Sequence, residues 1–151
     1  MDVKILVTGN LNTDFKELIT LLDEDLTERN GEIQKFFNPL NNTDHIQAAV
    51  VLYHEDIPVA CGAYKIYNDT SVEMKRIYVK KDQRRNGFAK QVLNKLEELA
   101  KSDGYSYAIL ETGVKQQEAI YLYQKSGYQI IENYAPYVGK VHSVCMKKDF
   151  I

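Results

Sequence analysis

Cysteine and histidine are scarce in this chain, and each scarcity closes off a class of protein. Two cysteines and three histidines in 151 residues leave little material for a disulfide staple or a metal centre. Cys61 and Cys145 stand apart in apolar, strand-like stretches and read as buried reduced thiols, not as a framework. No C-x-x-C or H-E-x-x-H occurs, and His45, His54 and His142 are scattered, so no metal is expected. No apolar run approaches a membrane span, and no basic head precedes an apolar stretch at the N-terminus. A soluble, cytoplasmic protein without a membrane partner is the expectation. Repeats at a solenoid period and low-complexity tracts are missing too. A dominant charge sign is also lacking. With 19 Lys and Arg against 21 Asp and Glu, the formal net charge is −2. That balance argues against nucleic acid as the main partner and leaves the basic run 75–90 to act alone.

What is present is one domain's worth of patterned chain, read as a single unit over 1–151 and large enough for its own core. Asp2–Val7 reads as a strand. Asp14–Glu28 reads as a helix, with Phe15, Leu18, Ile19, Leu22 and Leu26 on one face and Asn30-Gly31 as its stop. Residues 32–45 read as a short helix followed by a polar turn. Strands follow at 46–53, 58–67 and 71–79, separated by the turn signals His54-Glu55-Asp56 and Asn68-Asp69. A helix over 88–101, a strand over 105–110, a helix over 116–125 and strands over 128–132 and 143–147 complete the chain. This order describes a mixed sheet covered by helices, not a doubly wound parallel sheet.

The most informative stretch is Arg84-Arg85-Asn86-Gly87-Phe88-Ala89, where a strand-like run meets a helix-like run. A glycine at that turn lets the backbone approach a ligand and leaves the early helical N–H groups free. Those groups and the positive helix end suit a phosphate, and two arginines add charge for a diphosphate. An ordinary turn with solvated basic side chains explains the same residues. Neither the Walker pattern nor the three-glycine dinucleotide fingerprint is present.

Two other features carry chemistry. Tyr123 shares a helix face with Ala119 and Ile120, and its hydroxyl is of the kind that gives a proton to a leaving anion. With 11 tyrosines in the chain, packing explains any one of them equally simply. Glu73 interrupts an otherwise strand-like stretch. Strand alternation groups it with Lys75, Ile77 and Val79, opposite Val72, Met74, Arg76 and Tyr78. Facing a cleft, it could orient or deprotonate an amine; otherwise it forms a salt bridge to Lys75 or Arg76.

Together these segments resemble the Gcn5-related N-acetyltransferase (GNAT) family, in its small single-domain bacterial form. Arg84, Gly87 and Ala89 occupy the patterned places of that family's Gln/Arg-x-x-Gly-x-Gly/Ala loop. Ala119 to Tyr128, with Leu122-Tyr123-Gln124-Lys125-Ser126-Gly127-Tyr128, matches its second signature. The likeness covers about 46 to 148. A narrower likeness, in Leu110-Glu111-Thr112-Gly113, Asn133-Tyr134-x-x-Tyr137 and Ser143-Val144-Cys145-Met146, supports the fold and not the substrate.

The resemblance implies an α/β (α+β) fold, with a mixed, mostly antiparallel central sheet of six to seven strands flanked by helices. It implies transfer of the acetyl group of acetyl-CoA directly to a primary amine of a small molecule. A protein or peptide N-acetyltransferase and a non-catalytic CoA-binding regulatory module are the rivals. By position, Ile77, Tyr78 and Val79 would meet the pantetheine arm, with a strand N–H near Val79 for the oxyanion. Arg84, Arg85, Asn86, Gly87, Phe88, Ala89 and Lys90 would cradle the diphosphate. Gln116 stands where the family often keeps an asparagine. Tyr123 falls at the frequent general acid, and Glu73 in the region of a catalytic or water-organising glutamate. Phe36, Phe37, Asn41, Tyr134 and Tyr137 lie in two irregular segments flanking this scaffold, where loops carry specificity. Their rings suit a small amine with an apolar or cationic body, while core packing and a homodimer interface are the alternatives.

Overall fold

Apolar residues on successive positions of one strand require cover on both faces, and the chain supplies it with helices on either side. The computed structural model describes residues 2–30 and 45–150. Its strands are β1 (Val3–Thr8), β2 (Ala48–His54), β3 (Ile57–Asn68), β4 (Ser71–Val79), β5 (Tyr107–Gly113), β6 (Gln129–Ile131) and β7 (Ser143–Asp149). Its helices are α1 (Thr13–Asn30), α2 (Phe88–Ser102) and α3 (Gln117–Lys125), with a short 3-10 turn at Lys81–Gln83. On β2, Ala49 and Val51 pack toward Phe15, Leu18, Leu22 and Leu26 of α1. Val50 and Leu52 point the other way, toward Phe88, Val92, Leu93 and Leu96 of α2.

The strands form one sheet in the order β1-β2-β3-β4-β5-β7-β6. It is mixed and mostly antiparallel, as the order of elements implied; β4 and β5 are its parallel pair. That pair is also the shortest seam along β4. Only Ser71, Val72 and Glu73 meet Tyr107, Ala108 and Ile109, after which the two strands part. Tyr78 and Val79 stay paired to β3 on one side, and the stretch from Ile77 to Val79 faces a gap on the other. The backbone alternation fits, since Lys80 N donates to Val59 O on the β3 side and the Val79 carbonyl accepts from Arg84 instead.

Strand alternation along β4 breaks at a bulge, which corrects the grouping expected for Glu73. Arg76 has φ +62°, and the register with β3 shifts between Cys61 and Ala63. A bulge places two successive side chains on one face. Lys75 and Arg76 therefore both lie on the α1 face with Glu73 and Tyr78, and Arg76 reaches Asp23 of α1 at 2.7 Å. Ile77 and Val79 join Val72 and Met74 on the α2 face. Gly62 of β3 lets this happen. A Cβ there would stand 2.6 Å from Ile77 Cδ1 and 2.7 Å from Val92 Cγ1.

Strand β5 runs to Gly113, three residues beyond the stretch the sequence suggested, because β7 supplies partners as far as the Gly113–Ser143 pair. This puts Glu111 inside a strand. Both cysteines are buried free thiols, Cys61 pushed up to about 12 and Cys145 to about 11 by burial, so neither is a ready nucleophile.

Candidate active site

The gap between β4 and β5 opens into a pocket of about 540 Å³. One wall is Ile77, Tyr78 and Val79; the opposite wall is Gln116, Ala119, Leu122 and Tyr123 at the start and inner face of α3. Its far end is the turn into α2, with Arg84, Arg85, Gly87, Phe88, Ala89 and Lys90, and its rim includes Asp25 and Arg29 of α1. The residues assigned from sequence to the strand edge, the turn and α3 thus surround one cavity, with Asn86 set just outside. Asn86 Nδ2 donates to the Gln83 carbonyl at 3.0 Å and holds the turn.

The turn is built to leave donors open. Arg85 and Gly87 both have left-handed backbone, φ +69° and +76°. Nothing lies within 4 Å of the place a Gly87 Cβ would take, so conformation and open space, not crowding, account for the glycine. No side chain caps α2. Its first N–H groups therefore point at the cavity end without an internal partner, the arrangement that suits phosphate oxygens. Arg84 is the tethered member of the basic pair. Its Nε donates to the Val79 carbonyl at 3.0 Å, and Nη2 lies 3.4 Å from Asp25 Oδ2. Arg85 and Lys90 are exposed. Phe88 lines the pocket and is also core, with its ring against His54 at 5.3 Å. Across the rim, Arg29 of α1 pairs with Glu118 of α3.

Tyr123 stands at the inner end of the pocket. It is 8% exposed, and its ring meets Tyr128 edge-on at 6.0 Å. Burial pushes its phenol far above the usual value, and the nearby Glu111 carboxylate adds to the rise. A phenol so placed keeps its proton until a strong base arises beside it. Gln116 sits at the N-cap of α3 on the same wall.

Glu73 lies on the α1 face and not on the pocket wall. It is 3% exposed. Its Oε2 accepts from the Tyr134 hydroxyl at 2.7 Å and has Lys75 Nζ at 3.8 Å; Lys65 Nζ is 3.5 Å from Oε1. The salt-bridge reading with Lys75 holds, while Arg76 turns to Asp23 instead. Tyr134 and Tyr137 do come together, ring against ring at 5.5 Å, but Tyr137 is 2% exposed and packs with Cys145. Phe36, Phe37 and Asn41 lie outside the described residues.

The sequence reading passed over Glu111. Its chain neighbour Leu110 packs with α2 and α3, so Glu111 faces the other way, opposite Cys145 of β7 and beside Lys75 across the fork of the parting strands. Its Oε2 is buried without a hydrogen-bond partner. Burial raises its carboxyl to about 7, Ser143 and Lys75 tempering the rise and Glu73 adding to it. A carboxylate alternating with apolar residues in a strand was the available signal. Among the described residues no group of three His, Cys, Asp or Glu side chains could hold a metal ion.

These features define an α/β protein with a pocket beside two parting strands and an uncapped helix N-terminus at its end. The chain belongs to the acetyltransferase (GNAT) family, whose sequence profile matches residues 14–128. It is 34% identical over 91 residues to the IAA acetyltransferase of Azospirillum brasilense, a match spanning 60% of each chain. A Klebsiella pneumoniae structure assigned to the acyl-CoA N-acyltransferases superposes with a TM-score of 0.82 at 28% identity, covering 99% of this chain and 98% of that one. The PaiA N-acetyltransferase of Thermoplasma acidophilum, solved with coenzyme A, shares the fold with a TM-score of 0.76 at 15% identity, covering 99% of this chain and all of the other.

Proposed function

We propose that this chain transfers the acetyl group of acetyl-CoA directly to a primary amine of a small molecule. The observation that carries the reading is the parted seam: one continuous pocket joins an uncapped helix N-terminus, a free strand edge and a buried, protonated tyrosine. The donor's diphosphate fits the open N–H groups of α2 with Arg84, Arg85 and Lys90 around it. Its amide-bearing arm fits the unpaired edge of Ile77 and Val79 as an added strand would. Tyr123 then stands at the thioester end, placed to give its proton to the departing sulfur. Binding both substrates at once supplies the positioning that direct transfer requires. No covalent enzyme intermediate is called for, in keeping with the two inert thiols.

The acceptor approaches from the α1 face of the gap, behind which Glu73, Lys75, Tyr134 and Tyr137 form a largely buried polar and aromatic cluster. Dependence on acetyl-CoA and two buried reduced thiols support a cytoplasmic setting. No described helix is long and apolar enough to cross a membrane. The balanced charge supports a partner other than nucleic acid. A homodimer is supported by the exposed apolar side chains Ile130, Val138 and Val141.

Calorimetric titration with acetyl-CoA is expected to saturate. The double change Arg84→Glu with Arg85→Glu is expected to weaken binding by about 3 kcal/mol or more, since charge-assisted contacts are lost and repulsion replaces them. Unchanged affinity rejects the donor site. Thiol release with polyamines, amino acids, aminoglycosides and short peptides separates the rivals. Turnover only with peptides moves the acceptor class to proteins, and CoA binding without any release favours a regulatory module.

A further inference from the structure

A chain of ion pairs crosses the mouth of the donor pocket. It begins at the β4 edge, where the Val79 carbonyl accepts from Arg84 Nε at 3.0 Å. Arg84 Nη2 lies 3.4 Å from Asp25 Oδ2, and the other oxygen of that carboxylate lies 3.4 Å from Arg29 Nε. The Arg29 guanidinium then reaches Glu118 in the first turn of α3. Val79, Arg84, Asp25, Arg29 and Glu118 all line the cavity. The links alternate in charge and run from β4 through the turn and α1 to α3.

These links are not equally firm. Asp25 is 8% exposed and has Lys81 as a further cation, Nζ to Oδ1 at 3.6 Å. Removing its partners would strand a buried charge. The Arg29–Glu118 link is the loose one. It joins residues 89 positions apart on two helices, and the Glu118 side chain is 59% exposed. A pair so open to water contributes little net stability. The packing that holds α1 lies on β2, β3 and β4, so the helix keeps its place without this link. Glu118 is served without it too. Its own backbone N–H does most to hold its carboxyl below the usual range, with burial opposing and Arg29 and Arg84 adding to the effect.

A phosphate in the pocket is a better partner for Arg29 than Glu118 is. The uncapped N–H groups of α2 and the Arg84 side chain mark the phosphate end of the cavity, and Arg29 lines the same cavity. A guanidinium meets phosphate oxygens through two parallel hydrogen bonds, with charge on both sides and water partly excluded. Arg29 also has the means to turn. Asp25 holds it at Nε, which leaves the outer nitrogens to choose between anions.

We propose that Arg29 is a donor-binding residue that exchanges partners, leaving Glu118 for the diphosphate of coenzyme A when the pocket fills. The inference rests on the donor site of the transferase reading and adds to it a residue from outside the turn 84–90. Asp25 is the pivot and stays at Nε in both states. Glu118 is a competitor built into the protein. It keeps the guanidinium oriented at the mouth of the empty pocket, and it reclaims the arginine as the product departs. Its carboxylate therefore works against donor affinity, the opposite sense to Arg84.

The test is calorimetric titration of the parent, Arg29→Gln, Glu118→Gln and the double variant with coenzyme A and with 3′-dephospho-coenzyme A, which keeps the diphosphate. Arg29→Gln is expected to raise both Kd values about 10-fold, the scale of one lost charge-assisted contact. Glu118→Gln is expected to lower both about threefold, because the competing anion is gone. In the Arg29→Gln background the Glu118 change is expected to have no further effect, since no guanidinium remains to be released. A Glu118→Gln gain that persists in full in that background is plain charge repulsion and overturns the exchange. So does an Arg29→Gln variant whose Kd values stay within twofold of the parent. A loss seen with coenzyme A but not with the dephospho form gives Arg29 to the 3′-phosphate and overturns the diphosphate assignment. Should Arg29→Gln fail to fold, Glu118→Gln carries the test alone, and unchanged or weaker donor binding by it overturns the proposal. A parent that binds neither ligand brings down the donor site itself, an outcome distinct from a parent that binds both and ignores Arg29.

Discussion

The Tyr134 hydroxyl lies 2.7 Å from Glu73 Oε2, joining residues 61 positions apart and fixing the loop after β6 to the middle of β4. The bond takes the carboxylate out of circulation as a free base. It also gives Tyr134 a structural task in place of the open contact surface that its loop position suggested. Tyr134→Phe keeps the ring against Tyr67 and Tyr137 while deleting a hydrogen bond to a buried charge. The expected loss is about 2 kcal/mol of unfolding free energy, measured by urea denaturation. Acetyl-CoA affinity should not move, since neither residue lines the donor pocket. A loss below about 0.5 kcal/mol would show that Glu73 gains little from the phenol.

Tyr123→Phe isolates the proton on the other face. The ring contact with Tyr128 remains and nothing new is buried, so folding and donor binding should persist. Turnover should drop by roughly 10- to 1000-fold, the range for lost general-acid help. The check is single-turnover kinetics, where chemistry and not product release is observed. A rate within twofold of the parent would assign the proton to water.

Glu111 also predicts a pH dependence of stability in the free protein. Its folded-state carboxyl titrates near 7, above the ordinary value of 4.5. The folded state therefore holds the proton more tightly than the unfolded chain. The stabilisation is complete below about pH 4.5 and is lost as the pH rises through 7. The parent should lose about 3 kcal/mol across that window on this account, and Glu111→Gln should lack that decline. Equal pH dependence of the two melting temperatures contradicts the shift.

Most of the fold was readable because its signals are local. Phe88, Val92, Leu93, Leu96 and Ala100 repeat at a helical period, and all five are buried on one face of α2. Gly87 announced the left-handed entry to that helix. Much of the pocket wall was legible for the same reason, since 77–79, 84–90 and 116–123 each form a continuous segment with its own pattern, whereas Asp25 and Arg29 reach the rim from a distant helix. What escaped notice depends on partners distant in sequence. The bulge at Arg76 reflects the close approach of Gly62, Ile77 and Val92, which no window around β4 contains. Glu111 was placed beyond its strand because the partner that extends β5 is β7, thirty-odd residues later. Glu73 looked available because its phenolic partner lies in a loop that carries no strand or helix period at all.

The short seam between β4 and β5 ties donor supply to durability. Three residue pairs join the two halves of the sheet, and beyond them the β4 edge faces the gap with Arg84 bonded to the Val79 carbonyl. A donor lodged there supplies the cross-links the chain leaves out, and it can do so only while the chain is folded. Mass action then adds about 1.4 kcal/mol to the unfolding free energy for each tenfold rise of donor above its Kd. Acetyl-CoA is therefore expected to raise the melting temperature of this protein in step with its concentration, binding and folding being one equilibrium at that seam.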